Sequence, residues 1–351
     1  MSEPAPRFSL GLVVGKFSPL HRGHEYLIEQ ASRQCRQVLL LSWSTPELPG
    51  CERRRRERWL RWRFPQLQSV VLDPAQLARR CRQRGLPVRR LPDNNAADVQ
   101  QQVFTAWLCA QLLQQPVDAV FSSEAYGVPL AVCLGQALGH AVSAVTVDRQ
   151  RLRYPVSGTA LRTDPALARQ WLDARVHADY VARIGVLGGE SSGKSTLAAV
   201  LAQRLGTCWL PEYGREHWLQ RNGVLDMADL EQIARVQQQR EDALAGQATG
   251  WLICDTTALT TLGYAGWMFA ADTAGLRRRA GQRRYRHLLL CAPDFDFVQD
   301  GTRQGADLRA RQHAWYLAEL ERRRLPWTLL EGPLQQRVEQ ACRVLGARAV
   351  Q

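Results

Sequence analysis

The sequence predicts an α/β protein made of two doubly wound parallel-sheet domains in tandem. Three observations carry this. Short apolar runs alternate with helical patterns along the chain, the rhythm of βαβ units. Each half opens with a strand that runs through a glycine-containing turn into a helix, the layout of a phosphate site. The 351 residues are enough for two domains of ordinary size, each with a core of its own.

The stronger turn opens the second half. Residues 184–187 read as a buried strand and 196–205 as a helix. Between them Gly188, Gly189, Glu190, Ser191, Ser192, Gly193, Lys194 and Ser195 fit G-x-x-x-x-G-K-[ST] without a mismatch, and Thr196 follows. Glycines let successive backbone N–H groups curl round a phosphate, the helix N-terminus adds positive potential, and the lysine supplies a mobile charge. The Ser195 hydroxyl is placed to ligate Mg²⁺. Chance occurrence is the alternative, and the flanking strand and helix argue against it. This half is read as a nucleoside triphosphate site.

Composition narrows the reading. Lysine occurs only at Lys16 and Lys194 in an arginine-rich chain, and both fall inside phosphate patterns. A slim ammonium suits a narrow cradle better than a planar fork. Hydrophobic residues make up 45% and charged residues 23%, normal for a globular protein, and the net charge of +13 fits polyphosphate substrates as well as nucleic acid. The nine cysteines include no C-x-x-C pair, so neither a zinc site nor a disulfide framework is expected. No apolar run approaches membrane-spanning length and no signal peptide precedes the first strand, so a cytoplasmic protein without membrane insertion is expected.

In chain order, 9–14 reads as a strand leading into Gly15, Lys16, Phe17, Ser18, Pro19, Leu20, His21, Arg22, Gly23 and His24. A helix follows, with Tyr26, Leu27 and Ala31 on one face. Two histidines around a glycine at a helix start can both reach one phosphate chain. This long pattern resembles the nucleotidyltransferase superfamily, which transfers an adenylyl group from ATP. Next come a strand at 38–42, a Pro/Gly loop, and an arginine helix with Trp59, Leu60 and Trp62 interleaved. That helix is read as amphipathic, tryptophans inward, rather than as an RNA-stacking surface. Arg58 is the exception, because its place resembles a family arginine that faces substrate. Residues 70–73 read as a short strand and 74–91 as a helix and loop without assigned chemistry. The spacing of Val99, Val103, Trp107 and Leu108 predicts a helix over 96–113. The strand at 119–124 ends in Ser122, Ser123 and Glu124, placed for binding beyond a strand end, though turn chemistry explains them equally. After a strand at 142–147, Ser157, Thr159 and Arg162 match the superfamily's second motif, I-S-x-T-x-x-R, suited to the β- and γ-phosphates of ATP.

Residues 164–182 read as a helical connector without a disordered linker, so the predicted domains are 1–178 and 179–351, resting against each other. Beyond the P-loop helix, 209–216 reads as a strand end and a turn carrying Glu212, Tyr213 and Arg215. Glu212 and Arg215 either hold sugar hydroxyls, order Mg²⁺-bound water, or form an ion pair. The apolar 250–254 ends in Asp255, Thr256 and Thr257, with Asp255 the candidate for Mg²⁺ contact or for a general base. Arg277, Arg278, Arg279, Arg283 and Arg284 lie in a candidate helix and are read mostly as a solvated face. After a strand at 287–291, Asp300, Gly301 and Arg303 end a D-G-x-R string like the lid of small-molecule kinases. Arg303 is expected to close over the phosphoryl group and Asp300 to fix that loop.

An adenylyltransferase motif pair followed by a P-loop kinase, with ESSGKS, EYGRE, the aspartate–threonine pair and D-G-x-R, resembles the bifunctional nicotinamide mononucleotide adenylyltransferase/ribosylnicotinamide kinase family of NadR type. The resemblance covers nearly the whole chain. It implies an N-terminal Rossmann-like nucleotidyltransferase (Gly15, Lys16, Phe17, His21, Gly23, His24, Ser122, Ser123, Glu124, Ser157, Thr159, Arg162) and a C-terminal P-loop kinase. It implies ATP as co-substrate with Mg²⁺, and nicotinamide riboside, nicotinamide mononucleotide and NAD as ligands, with a homo-oligomer allowed. Two departures are visible. The first strand begins near Ser9, leaving no place for the helix-turn-helix domain of some members, so no specific DNA binding is expected. Thr257 stands where a second acid is often found, which bears on its riboside contact. The alternatives are a phosphopantetheine adenylyltransferase/dephospho-coenzyme A kinase fusion, whose kinase lacks ESSGKS and EYGRE, and a nucleotide-sensing regulator.

Overall fold

The computed structural model describes residues 5–271, 273–294 and 306–346. The chain divides into two compact units, Met1–Val176 and His177–Gln351. Each is an α/β unit around a parallel sheet of five strands among the described residues.

The N-terminal unit runs β1 (Phe8–Val14), α1 (Arg22–Gln34), β2 (Cys35–Trp43), α2 (Arg53–Arg63), β3 (Gln68–Leu72), α3 (Pro74–Gln83), α4 (Asp98–Trp107), β4 (Ala119–Ser122), α5 (Gly127–Leu138), β5 (Ser143–Thr146), α6 (Gly158–Thr163), α7 (Pro165–Trp171) and α8 (Ala174–Ala178), the last ending beyond the unit boundary. The strand order is β3-β2-β1-β4-β5, every pair parallel. A parallel sheet covered by helices buries both faces, which is why β1 and β2 read as continuous apolar runs such as Val38, Leu39, Leu40 and Leu41. The order reverses at β1, opening a crevice between the carboxyl ends of β1 and β4.

The C-terminal unit runs β6 (Ala182–Leu187), α9 (Lys194–Arg204), β7 (Cys208–Leu210), α10 (Tyr213–Gln220), α11 (Met227–Ala245), β8 (Trp251–Asp255), α12 (Ala258–Phe269), α13 (Ala274–Gln282), β9 (His287–Cys291), α14 (Ala306–Arg322), β10 (Trp327–Leu330) and α15 (Leu334–Leu345). Its order is β10-β9-β6-β8-β7, again all parallel. The strand that feeds the phosphate loop is central, with β8 and β9 beside it. All nine cysteines are free thiols, and no helix among the described residues is long and apolar enough to cross a membrane.

Several elements depart from expectation. The 96–113 helix starts at Asp98 and widens into a π-helix over Leu108–Leu113. The buried face of this helix runs through Gln102, Phe104, Thr105, Ala106 and Trp107, and Val99 and Val103 are 61% and 50% exposed. The turn expected after β7 is helix α10, with Gly214 inside its first turn, so glycine there did not mark a loop. The connector is two short helices, and β6 already begins at Ala182. Arg283 is no solvated residue: it pairs with Asp242 and with buried Glu241.

The arginine helix α2 packs Trp59 and Leu60 inward and stacks Arg175 over Trp62, 4.4 Å from the ring. Its surprise is Arg56, fully buried and donating to Cys51 O (2.9 Å), Ser42 Oγ (2.6 Å) and Glu47 Oε1 (3.1 Å). These contacts tie the Pro/Gly loop to β2 beside the crevice. Arg56→Ala leaves those acceptors without their donor and a void behind them. We expect a loss of about 3 kcal/mol in the N-terminal unit, read as a lowered urea midpoint. An unchanged midpoint would contradict this role.

Candidate active sites

The N-terminal crevice holds a cavity of about 590 Å³. Ligands can enter it from the β1–α1 turn, the end of β4 and the start of α6. His21 caps α1: its Nδ1 accepts from His24 N at 3.4 Å, which stacks the two rings 3.7 Å apart at 22°. Phe17, at φ 46°, sets its ring edge-on to His24, 5.2 Å away. Gly158 opens α6 so close to that turn that a Cβ would stand 2.7 Å from Ser18 O. This approach lets Arg162 donate to Ser18 O and, at 3.2 Å, to Thr159 Oγ1, while Ser157 caps the helix. Lys16 Nζ donates to Asn94 O at 3.0 Å, and Glu124 pairs with Arg151 at 2.7 Å.

Gly15, Lys16, Phe17, His21, Gly23, His24, Ser122, Ser123, Glu124, Ser157, Thr159 and Arg162 all line this cavity. Arg58 does not; it is exposed on α2. Sequence reasoning missed Trp43, Asn94, Gln101, Thr105 and Arg151, which also line it. Trp43 Nε1 donates to Gln101 Oε1 at 3.2 Å, and Gln101 Nε2 to Asp93 O at 2.8 Å, bracing the 93–96 segment at the cavity wall. Polar positions just before and on an apolar helix carry no motif, and no sequence signal singled them out.

The C-terminal cavity measures about 490 Å³ at the carboxyl ends of β6, β7 and β8. Glu190, Ser191, Ser192, Gly193, Lys194, Ser195, Thr196, Glu212, Arg215 and Asp255 line it. Gly188 and Gly189 lie behind that surface: at φ 148° a Cβ on Gly188 would stand 2.5 Å from Ser192 Oγ. Thr257 is buried as the cap of α12, accepting from Leu259 N, and Tyr213 packs away beside His217; neither lines the cavity. Asp300 and Arg303 lie outside the described residues. Trp209, Trp218, Thr260, Tyr264 and Met268 line the cavity without having been anticipated.

Lys194 Nζ reaches Gly189 O at 2.8 Å. Burial pushes the Glu212 carboxyl up, Lys194 pulls it down, and Asp255 pushes it up again. The Asp255 carboxyl is likewise raised by burial, against the hydrogen bond from Ser195 and the charge of Lys194. Asp255 Oδ1 is buried and has no hydrogen-bond partner. A hard cation bound between Ser195 and Asp255 would satisfy that oxygen, so these residues fit Mg²⁺ brought in on a nucleotide. Among the described residues no group of three or more His, Cys, Asp or Glu could hold a metal ion.

Burial, with Arg151 nearby, lowers the His21 pKa to about 4, and burial with His21 lowers His24 well below its usual value. Neutral rings donate N–H bonds to phosphate oxygens without carrying a buried charge. The unfolded chain takes up protons first as pH falls, so His21 costs stability progressively between about 6.5 and 4 and none above, and His24 acts in the same direction. We expect the His21 ring to titrate near pH 4 in an NMR titration of the ligand-free protein. Titration at its ordinary 6.5 would refute the buried-neutral assignment.

Comparison with known proteins bears on both units. An AAA domain family model matches residues 183–337. The trifunctional NAD biosynthesis/regulator protein NadR of Escherichia coli (strain K12) is 24% identical over 339 residues, spanning 90% of this chain and 77% of that protein. The protein of the same name from Salmonella typhimurium is 26% identical over 316 residues, 86% of this chain and 73% of that one. A crystal structure of a NadR protein in complex with NR superposes with a TM-score of 0.69 at 19% identity, covering 100% of this chain and 99% of that one. A NadR protein in complex with NAD and AMP-PNP gives 0.68 at 18%, covering 99% and 100%. The shared fold thus takes in both units, and over most of its length the chain is similar in sequence to the NadR proteins.

Proposed function

We propose that the chain is a bifunctional enzyme of NAD salvage. Its C-terminal unit, a P-loop kinase, phosphorylates the 5′-hydroxyl of nicotinamide riboside with ATP. Its N-terminal unit, a Rossmann-like nucleotidyltransferase, joins nicotinamide mononucleotide to the adenylyl group of ATP, giving NAD and pyrophosphate. The observation that supports this is a cavity in each unit beyond the carboxyl end of a central strand, lined by His21, His24 and Arg162 in one and by Lys194, Ser195 and Asp255 in the other. The ligands named with the solved NadR relatives, NR in one and NAD with AMP-PNP in the other, supply the substrate class.

Both transfers rest on positioning and charge stabilisation. In the N-terminal cavity the mononucleotide phosphate attacks the α-phosphorus and pyrophosphate leaves. His21 and His24 donate to the reacting phosphate, while Arg162 and Lys16 neutralise charge on the leaving group. In the C-terminal cavity Lys194 and the N–H groups of the loop hold the β- and γ-phosphates. Ser195 and Asp255 would hold Mg²⁺, which would supply charge neutralisation for the phosphates. Glu212, raised by burial and set beside Lys194, takes the proton of the riboside hydroxyl, and Arg215 holds the sugar side of the cavity.

Purified protein with ATP, Mg²⁺ and nicotinamide riboside tests the reading, with mononucleotide and NAD assayed separately. Tight nucleotide binding without turnover would favour a sensor instead. The two activities should separate by motif. Lys194→Ala should abolish phosphorylation of the riboside and leave adenylylation of supplied mononucleotide near native, and His24→Ala should do the reverse. Loss of both reactions in either folded variant would rule out two independent sites. Lys16 gives a finer test. Lys16→Ala removes a charge-assisted contact worth about 1.5–3 kcal/mol, roughly tenfold to a hundredfold in adenylylation. Lys16→Arg brings a wider head into the gap and should recover only part of that loss. Full activity in Lys16→Arg would mean that charge alone matters there.

A further inference from the structure

The phosphate loop of the C-terminal unit is gripped from behind by one arginine. Arg337, on α15, is 2% exposed. Its Nη1 donates to Ser192 O at 2.9 Å, its Nη2 to Ala292 O at 2.9 Å, and its Nε to Gly332 O at 2.7 Å. The same guanidinium pairs with Asp294, whose other oxygen accepts from Gly332 N at 2.6 Å. One side chain therefore binds the phosphate loop, the residues just after β9, and the β10–α15 turn.

A trans peptide is planar, with its C=O and N–H on opposite sides. Holding Ser192 O against Arg337 turns the Gly193 N–H the other way, toward the cavity that Gly193 lines. The neighbouring peptide obeys the same logic. Glu190 N donates to Gln312 Oε1 at 2.7 Å behind the loop, so Gly189 O faces forward, where Lys194 Nζ and Ser192 Oγ meet it at 2.8 Å each. We propose that Arg337 is a positioning residue for phosphoryl transfer, which sets the direction of the loop N–H groups without touching the nucleotide. Only a planar fork with five donors spans carbonyls on three segments; lysine has three donors on a single atom.

This inference rests on reading the loop as the ATP cradle. The test uses the full chain and the variants Arg337→Met and Arg337→Lys. It measures Mg·ATP affinity by calorimetry, KM and kcat for riboside phosphorylation, Tm, and adenylylation as a control for the other unit. Arg337→Met should weaken ATP affinity and raise its KM by about tenfold to a hundredfold, with adenylylation unchanged. Arg337→Lys should fall between the two. A folded Arg337→Met protein that binds ATP within about twofold of native, its defect confined to Tm, would overturn the proposal. If the methionine variant does not fold, native ATP affinity in Arg337→Lys overturns it equally. Native protein that binds ATP but phosphorylates no riboside would sink the functional reading, and the affinities would still decide the role of Arg337.

Discussion

A triphosphate is held where several backbone N–H groups point at one spot, and a parallel sheet offers that place beyond the carboxyl end of a central strand, against a helix N-terminus. Both units are arranged round this constraint. β1 runs into the His21–His24 turn at the point where its sheet reverses order, and β6 runs into the phosphate loop between β8 and β9. Several further groups reach the cavities from strand ends and helix starts. Ser157 and Arg162 arrive on α6, Asp255 ends β8, and Glu212 stands at the N-cap of α10.

Turning backbone N–H groups inward leaves carbonyls facing the other way, and those need donors of their own. Buried arginines meet this need at Arg56, behind the Pro/Gly loop of the N-terminal unit, and at Arg337, behind the phosphate loop. A third buried network joins Arg283 and Arg183 to Glu241, which burial still raises to about 7. Much of the basic composition is thus spent inside the fold or in surface pairs, such as Arg53 with Asp73 and Glu57. Lysine, by contrast, stands only in the two cradles.

The strand–turn–helix turns were legible because they are local. Glycines, lysine, hydroxyls and histidines at fixed spacing must share one turn, and a turn is a short-range object. The alternation of apolar runs and helices was legible for the same reason, since burial on both faces leaves no polar position inside a strand. The misread elements are those whose outcome depends on distant packing. Val99 and Val103 have helical spacing, but α4 packs through Gln102, Phe104, Thr105, Ala106 and Trp107 and leaves them exposed. Thr257 sits after a strand end, where the sequence left a riboside contact open, and its hydroxyl caps α12.

The sequence by itself determined that a strand–turn–helix unit opens each half, and which residues form their turns. The tertiary structure alone decided which remote side chains complete them. Asn94 reaches Lys16, Arg151 faces Glu124, Gln312 takes the Glu190 N–H and Arg337 takes the Ser192 carbonyl. These partners stand far apart in the chain, up to 145 residues in the case of Arg337 and Ser192. Their meeting is fixed by sheet order and helix packing, and neither leaves a periodic or spaced pattern in the sequence.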